Sequence, residues 1–176
     1  MKAVFLDRDG VINKAIVKDQ KPFPPANLSE LEILPSVDLA LNNLHDNGYK
    51  LIVVTNQPDV ARGVTKHKTV EEINSFLQSC LPIDEILCCF HDNSDNCKCR
   101  KPKPGAILDA GKKHNIDLGE SFMVGDRWRD IEAGTAAGCI TIFLDYGYNE
   151  KQPLHLDYRV SSLYEASQII LGEKNG

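Results

Sequence analysis

The sequence predicts a three-layer α/β/α sandwich around a central parallel sheet, and three observations predict it. Short apolar runs such as Ala3-Val4-Phe5-Leu6 and Leu51-Ile52-Val53-Val54 show no polar alternation, as expected of strands covered on both faces. Between the runs lie segments with apolar residues at helical spacing, and strands alternating with helices imply right-handed crossovers. Three runs end in polar residues, namely Asp7 and Asp9, Thr55 and Asn56, and Asp126. That places these groups beyond the carboxyl ends of the strands, where such sheets bind ligands.

The elements follow in order. Lys2 to Leu6 reads as the first strand, running into Asp7-Arg8-Asp9-Gly10, and residues 13–34, broken by Pro22, Pro24 and Pro25, read as a loop over its mouth. Val37, Ala40, Leu41 and Leu44 mark a helix between Pro35 and Gly48. Leu51 to Val54 is the second strand. A helix over about Thr69 to Leu81 follows, with Thr69 and Glu72 as a capping box and Val70, Ile73, Leu77 and Cys80 as its apolar stripe. Ile86 to Phe90 is a third strand, leading into a polar, cysteine-rich stretch that ends at Pro104, where a helix with Ile107, Ala110 and His114 begins. Ser121 to Val124 is a fourth strand, Arg129 to Ala137 a short helix, and Ile140 to Leu144 a fifth strand. Ser162 and Glu165 cap a final helix carrying Leu163, Ala166 and Ile169.

A chain of 176 residues has room for one domain with a proper core, so residues 1–176 are expected to form a single unit with one specialised loop at about 88–104. Its 42% apolar and 26% charged residues exclude disordered and low-complexity classes. No apolar run is long enough to span a membrane, and Asp7 interrupts the N-terminal run too early for a signal peptide, so the expected location is the cytoplasm. A net charge of -5 argues against nucleic-acid or anionic-membrane partners. Locally, Lys98, Arg100, Lys101 and Lys103 still form a basic edge suited to a phosphorylated ligand, and the chain is expected to act as a monomer.

Asp7 and Asp9 at one strand end and Asp126 at another would repel one another without a cation between them, and all-oxygen ligation favours Mg²⁺. The tetrapeptide at 7–10 alone also fits a turn, Thr55-Asn56 a cap and Lys101 a solvated side chain. Their convergence on one edge points instead to chemistry. Thr55 and Asn56 offer a hydroxyl and an amide, and Lys101 a mobile ammonium, which together match the demands of phosphoryl transfer.

The segments Phe5-Leu6-Asp7-Arg8-Asp9-Gly10, Val53-Val54-Thr55-Asn56-Gln57, Lys101 and Val124-Gly125-Asp126 with Asp130 resemble, in order, the signatures of the haloacid dehalogenase (HAD) superfamily of phosphohydrolases. The resemblance implies a Rossmann-like fold, and no insertion is large enough for a cap domain. It implies that Asp7 is the nucleophile that becomes an aspartyl-phosphate and that Asp9 is the general acid and base. By the same resemblance, Thr55 and Lys101 hold the phosphoryl group. Asp7, Asp126 and the backbone carbonyl of Asp9 hold Mg²⁺, and Asp130 supports the loop.

Cys89-Phe90-His91 and Cys97-Lys98-Cys99 place three thiols and one imidazole within eleven residues. Such a polar loop cannot bury a core of its own, and these four ligands suit a closed structural Zn²⁺ site; the alternative is a set of surface thiols. Cys80, Cys88 and Cys139 are expected to be free core thiols. A C-x-H and C-x-C loop running into Arg100-Lys101-Pro102 is similar to the superfamily branch of heptose bisphosphate and histidinol-phosphate phosphatases. That branch implies a small phosphorylated sugar as substrate, loss of the 7-phosphate of heptose 1,7-bisphosphate for nucleotide-activated heptose and surface glycans, and recognition of the remote phosphate by Arg100. Histidinol-phosphate hydrolysis and a non-catalytic phosphate-binding or scaffold protein are the alternatives.

Overall fold

Six segments, most of them apolar, line up as parallel neighbours in one sheet. In the computed structural model, which describes residues 1–172, the chain runs β1 (Ala3–Leu6), β2 (Ile16–Lys18), β3 (Lys21–Phe23), α1 (Val37–Asp46), β4 (Lys50–Asn56), α2 (His67–Cys80) and β5 (Glu85–Cys89). It continues through α3 (Gly105–His114), β6 (Phe122–Gly125), α4 (Trp128–Ala137), β7 (Ile140–Leu144), β8 (Tyr158–Val160) and α5 (Leu163–Ile170). The sheet order is β5-β4-β1-β6-β7-β8, and every pairing is parallel. The central strand β1 is wholly buried, as its unbroken apolar run requires.

Two apolar layers sandwich the sheet. On one face Val4, Leu6 and Val53 pack with Leu41 and Leu44 of α1, Ile73 and Leu77 of α2 and Leu163 and Ala166 of α5. On the other, Ala3, Phe5, Ile52 and Met123 pack with Ile107 and Ala110 of α3 and Ala133 and Ala137 of α4. Each fully buried aliphatic side chain contributes about 1.5 to 3 kcal/mol over its exposed state, which is why odd and even residues of β1 are both apolar.

Register sets the site. Leu6 pairs with Val53 and with Val124, so the chain beyond each of these strands emerges at one edge. The Asp7 N–H donates to the carbonyl of Val124 at 3.0 Å, and Gln57 N–H donates to that of Cys89 at 2.8 Å.

Four expectations need correction. Residues 13–34 are not simply a loop, because β2 and β3 form an antiparallel hairpin there. The sheet has a sixth strand, β8, at its edge. Helix α2 begins at His67, not at a Thr69 cap: extended Lys66 precedes it, and Thr69 lies in the first turn with its N–H on the Lys66 carbonyl. Cys80 is exposed and Cys88 half-buried, so of the three expected core thiols only Cys139 is buried, and burial pushes the thiols of Cys88 and Cys139 up to about 12. The cap of α5 is as expected, with Ser162 Oγ accepting the Glu165 N–H at 3.1 Å.

Candidate active site

The ends of β1, β4 and β6 bring Asp7, Thr55 and Asp126 together around a buried lysine. Lys101 is only 2% exposed, and its Nζ reaches Asp7 Oδ1 at 2.8 Å, Asp130 Oδ1 at 2.7 Å and the Val54 carbonyl at 2.5 Å. All three ammonium protons therefore have acceptors, so Lys101 is fixed in place and not the mobile cation its sequence context suggested. Burial opposes its charge, but Asp130 and Asp7 together hold its pKa above the ordinary value. Asp130 Oδ2 accepts the Arg127 N–H at 2.9 Å, so both oxygens of Asp130 have partners.

The carboxylates are strained electrostatically. Burial, followed by the charge of Asp130, raises Asp7 to about 6, against the opposing pull of Lys101. Asp126 is raised well above the usual carboxylate range by burial, then by Asp7 and Asp130. Asp126 Oδ2 accepts a hydrogen bond from Tyr148 at 2.8 Å, while its buried Oδ1 has no partner among the described residues. Asp7, Asp126 and Asp130 each place an oxygen within 4.8 Å of the others. An unsatisfied buried carboxylate oxygen beside two more carboxylates fits an oxygen-seeking divalent cation such as Mg²⁺.

Asp9 is held differently. Its Oδ1 receives Asn13 Nδ2 at 3.0 Å and Arg8 Nη2 at 3.1 Å, and its Oδ2 receives Gln57 Nε2 at 2.8 Å. Gln57 also donates to Thr55 Oγ1 at 3.0 Å. Arg8 is fully buried and tied by Nη1 to Asn74 Oδ1 on α2 at 2.8 Å. Asn56 does not present a free amide to the cleft, because its carboxamide brackets the Lys101 backbone: Oδ1 accepts the Lys101 N–H at 3.1 Å and Nδ2 donates to its carbonyl at 3.0 Å. Sequence reasoning missed Gln57, Asn13, Asn74 and Tyr148 as site residues. Gln57 closes the Val53–Gln57 motif and Asn13 lies just beyond the one at 5–10, but nothing in the sequence marks Asn74 or Tyr148.

Asp7 and Asp9 open into a cleft of about 260 Å³, also lined by Lys21, Phe23, Arg62, Arg100, Arg127 and Arg129. Two of these arginines are neutralised locally. Arg62 grips Asp92 at 2.7 and 2.8 Å, and Arg127 grips Glu150 at 2.5 and 3.0 Å. Arg100 instead donates to neutral acceptors, Asn93 Oδ1 at 2.9 Å and the His91 carbonyl at 3.4 Å, so its charge stays available to a ligand.

The cysteine loop forms the wall that carries Arg100. Cys89 Sγ lies 3.6 Å from His91 Nδ1, 3.7 Å from Cys97 Sγ and 3.0 Å from Cys99 Sγ. Cys99 Sγ lies 3.4 Å from His91 Nδ1 and 3.6 Å from Cys97 Sγ. Tetrahedral ligation at roughly 2.3 Å to sulfur gives ligand separations of about 3.5 to 3.8 Å, which most of these distances approach. All six cysteines are free.

Residues 16–138 match the haloacid dehalogenase-like hydrolase family. The chain belongs to that family. Among haloacid dehalogenase-like relatives, D-glycero-beta-D-manno-heptose-1,7-bisphosphate 7-phosphatase of Helicobacter pylori is 40% identical over 144 residues, covering 77% of this chain and 79% of the relative. D-glycero-alpha-D-manno-heptose-1,7-bisphosphate 7-phosphatase of Photorhabdus laumondii is 33% identical and covers 97% of each. The crystal structure of D,D-heptose 1,7-bisphosphate phosphatase from B. bronchiseptica, complexed with magnesium and phosphate, superposes with a TM-score of 0.82 at 28% identity, covering 99% of this chain and 100% of that one. As a haloacid dehalogenase-like hydrolase, the chain has the central parallel sheet expected from its sequence, with one strand more than expected.

Proposed function

We propose that this protein is a Mg²⁺-dependent phosphatase that removes the 7-phosphate of D-glycero-D-manno-heptose 1,7-bisphosphate in the synthesis of nucleotide-activated heptose. The observation that carries the reading is that one cleft holds both a buried Asp7 against Lys101 and an Arg100 whose guanidinium has only neutral partners. The first suits the phosphoryl group that is transferred, the second an anion that stays on the sugar. The heptose bisphosphate phosphatases among its relatives support the same choice.

In this reading an Asp7 carboxylate oxygen attacks phosphorus while the bond from phosphorus to the sugar oxygen breaks, and Asp9 gives its proton to that leaving oxygen. Asp9 then takes a proton from water, which attacks the aspartyl-phosphate and releases inorganic phosphate with Asp7 restored. The fixed positive charge of Lys101 beside Asp7 offsets that of the transferring oxygens, the Thr55 hydroxyl holds them, and Gln57 and Asn13 keep Asp9 aimed. Asp7, Asp126 and the backbone carbonyl of Asp9 would hold Mg²⁺, which would neutralise the carboxylates and the phosphoryl charge when bound. Cys89, His91, Cys97 and Cys99 would hold a structural Zn²⁺ that shapes the wall bearing Arg100. Six cysteines without a disulfide suit a reducing cytoplasm.

Histidinol phosphate offers the same transferred group but ends in an amine, which an uncompensated guanidinium repels. The test is phosphate release with Mg²⁺ from heptose 1,7-bisphosphate, fructose 1,6-bisphosphate and histidinol phosphate, alongside Asp7→Asn. The heptose ester should be preferred and Asp7→Asn inactive. Faster turnover of histidinol phosphate overturns the substrate, and full activity of Asp7→Asn overturns the mechanism.

A further inference from the structure

One segment outside every motif touches the site repeatedly. Beyond β7, the Tyr146 hydroxyl donates to the Gly10 carbonyl at 2.8 Å and the Tyr148 hydroxyl to Asp126 Oδ2 at 2.8 Å. The two rings lie 5.6 Å apart between centroids. Next along the chain, the Asn149 N–H donates to the Gln20 carbonyl at 2.9 Å, and Glu150 accepts from Arg127. The segment thus forms a strap from the turn of the β2-β3 hairpin to the metal-seeking carboxylate.

We propose that Tyr148 is a positioning residue for the divalent cation, a role that rests on the carboxylate cluster binding Mg²⁺. An aspartate side chain turns easily about its last torsion, and its two oxygens are chemically equivalent. Here they are made unequal. A neutral phenol occupies Oδ2, and Gly10 leaves no space behind it: a Cβ at position 10 would lie 1.9 Å from that oxygen. The hydrogen bond and the close approach of Gly10 both fall on Oδ2, so Oδ1, buried and without a partner among the described residues, is the oxygen left for the ion. Fixing a carboxylate ligand by a hydrogen bond to its other oxygen typically matters about 10- to 100-fold in metal affinity.

The test is calorimetric titration of Mg²⁺ alone into the folded wild-type protein, Tyr148→Phe and Tyr146→Phe. Tyr148→Phe should weaken Mg²⁺ binding about tenfold, and Tyr146→Phe, which cuts the strap's other phenol bond but leaves Asp126 untouched, should change it by less than about twofold. Unchanged affinity in Tyr148→Phe, or equal weakening by both variants, overturns the inference. A crystal structure of the Mg²⁺-loaded wild-type protein gives a second readout that needs no variant: the phenol should remain on Oδ2 with the ion on Oδ1, and an ion bridging both oxygens overturns the assignment. If the wild-type protein binds no Mg²⁺, it is the phosphatase reading that fails; if it binds Mg²⁺ and Tyr148→Phe binds it equally well, only the role of Tyr148 does.

Discussion

At the scale of single residues, Lys101 joins the stability of the protein to its chemistry. Its ammonium sits between Asp7 and Asp130 with almost no access to water, so Lys101→Met leaves two buried carboxylates without their cation. The expected cost is about 3 to 5 kcal/mol in urea unfolding, together with loss of turnover. A cost below about 1 kcal/mol would mean that the carboxylates are hydrated and the lysine is not their main partner. Legibility also divides at this scale. Asp7, Asp9 and Asp126 could be singled out because metal chemistry demands carboxylates at strand ends, and Lys101, in the loop after β5, because phosphoryl transfer demands a cation. The roles of Asn56 and Gln57 could not, since an amide looks the same in sequence whether it faces a substrate or, like Asn56, brackets a backbone 45 residues away. Asn74 and Tyr148 reach the site only through tertiary packing, which leaves no local pattern.

Among the elements, those with strong periodicity were legible and those held by long-range pairing were not. The β2-β3 hairpin escapes notice because its turn, Asp19-Gln20, takes positive φ at both residues without the glycine that usually marks such turns, and because Pro22 argues against a strand. β8 is three residues on a sheet edge, too short to show a pattern. Helix α2 starts at His67 because Lys66 turns extended there, yet no side chain caps it and its first turn carries His67 and Lys68. Lys66→Asp should therefore stabilise the protein by about 1 kcal/mol in urea unfolding by supplying both an acceptor and a charge of the right sign. A destabilised variant would show that Lys66 has another role. For the loop from Cys89 to Lys101, metal analysis should find about one Zn per chain. Chelation should raise KM for the bisphosphate through Arg100 more than it lowers kcat. A full-length chain that folds and keeps its KM without zinc would contradict this.

For the molecule as a whole, Mg²⁺ and protons compete for the same carboxylates. A carboxyl group whose folded pKa is raised binds more protons folded than unfolded between its two values, so stability falls as pH rises through that window. Asp7 goes from 3.8 to about 6, and the metal-free protein should lose on the order of 3 kcal/mol from this group as pH climbs from about 4 to about 6. Mg²⁺ removes the penalty by holding the charged form. Scanning calorimetry should show Mg²⁺ raising Tm more at about pH 7.5 than at about pH 5, and equal shifts would contradict the linkage. The same plan separates reaction from selection. The cysteine loop is anchored at one foot in a sheet strand and at the other by Lys101, whereas its tip, a short turn at Asn93–Asp95 followed by left-handed Asn96, meets the cleft only through Asn93 and its contact with Arg100. Residues inserted there would reshape what the cleft admits while the reacting groups stay put, so the tip is an interchangeable part through which one catalytic engine can be refitted to new sugars.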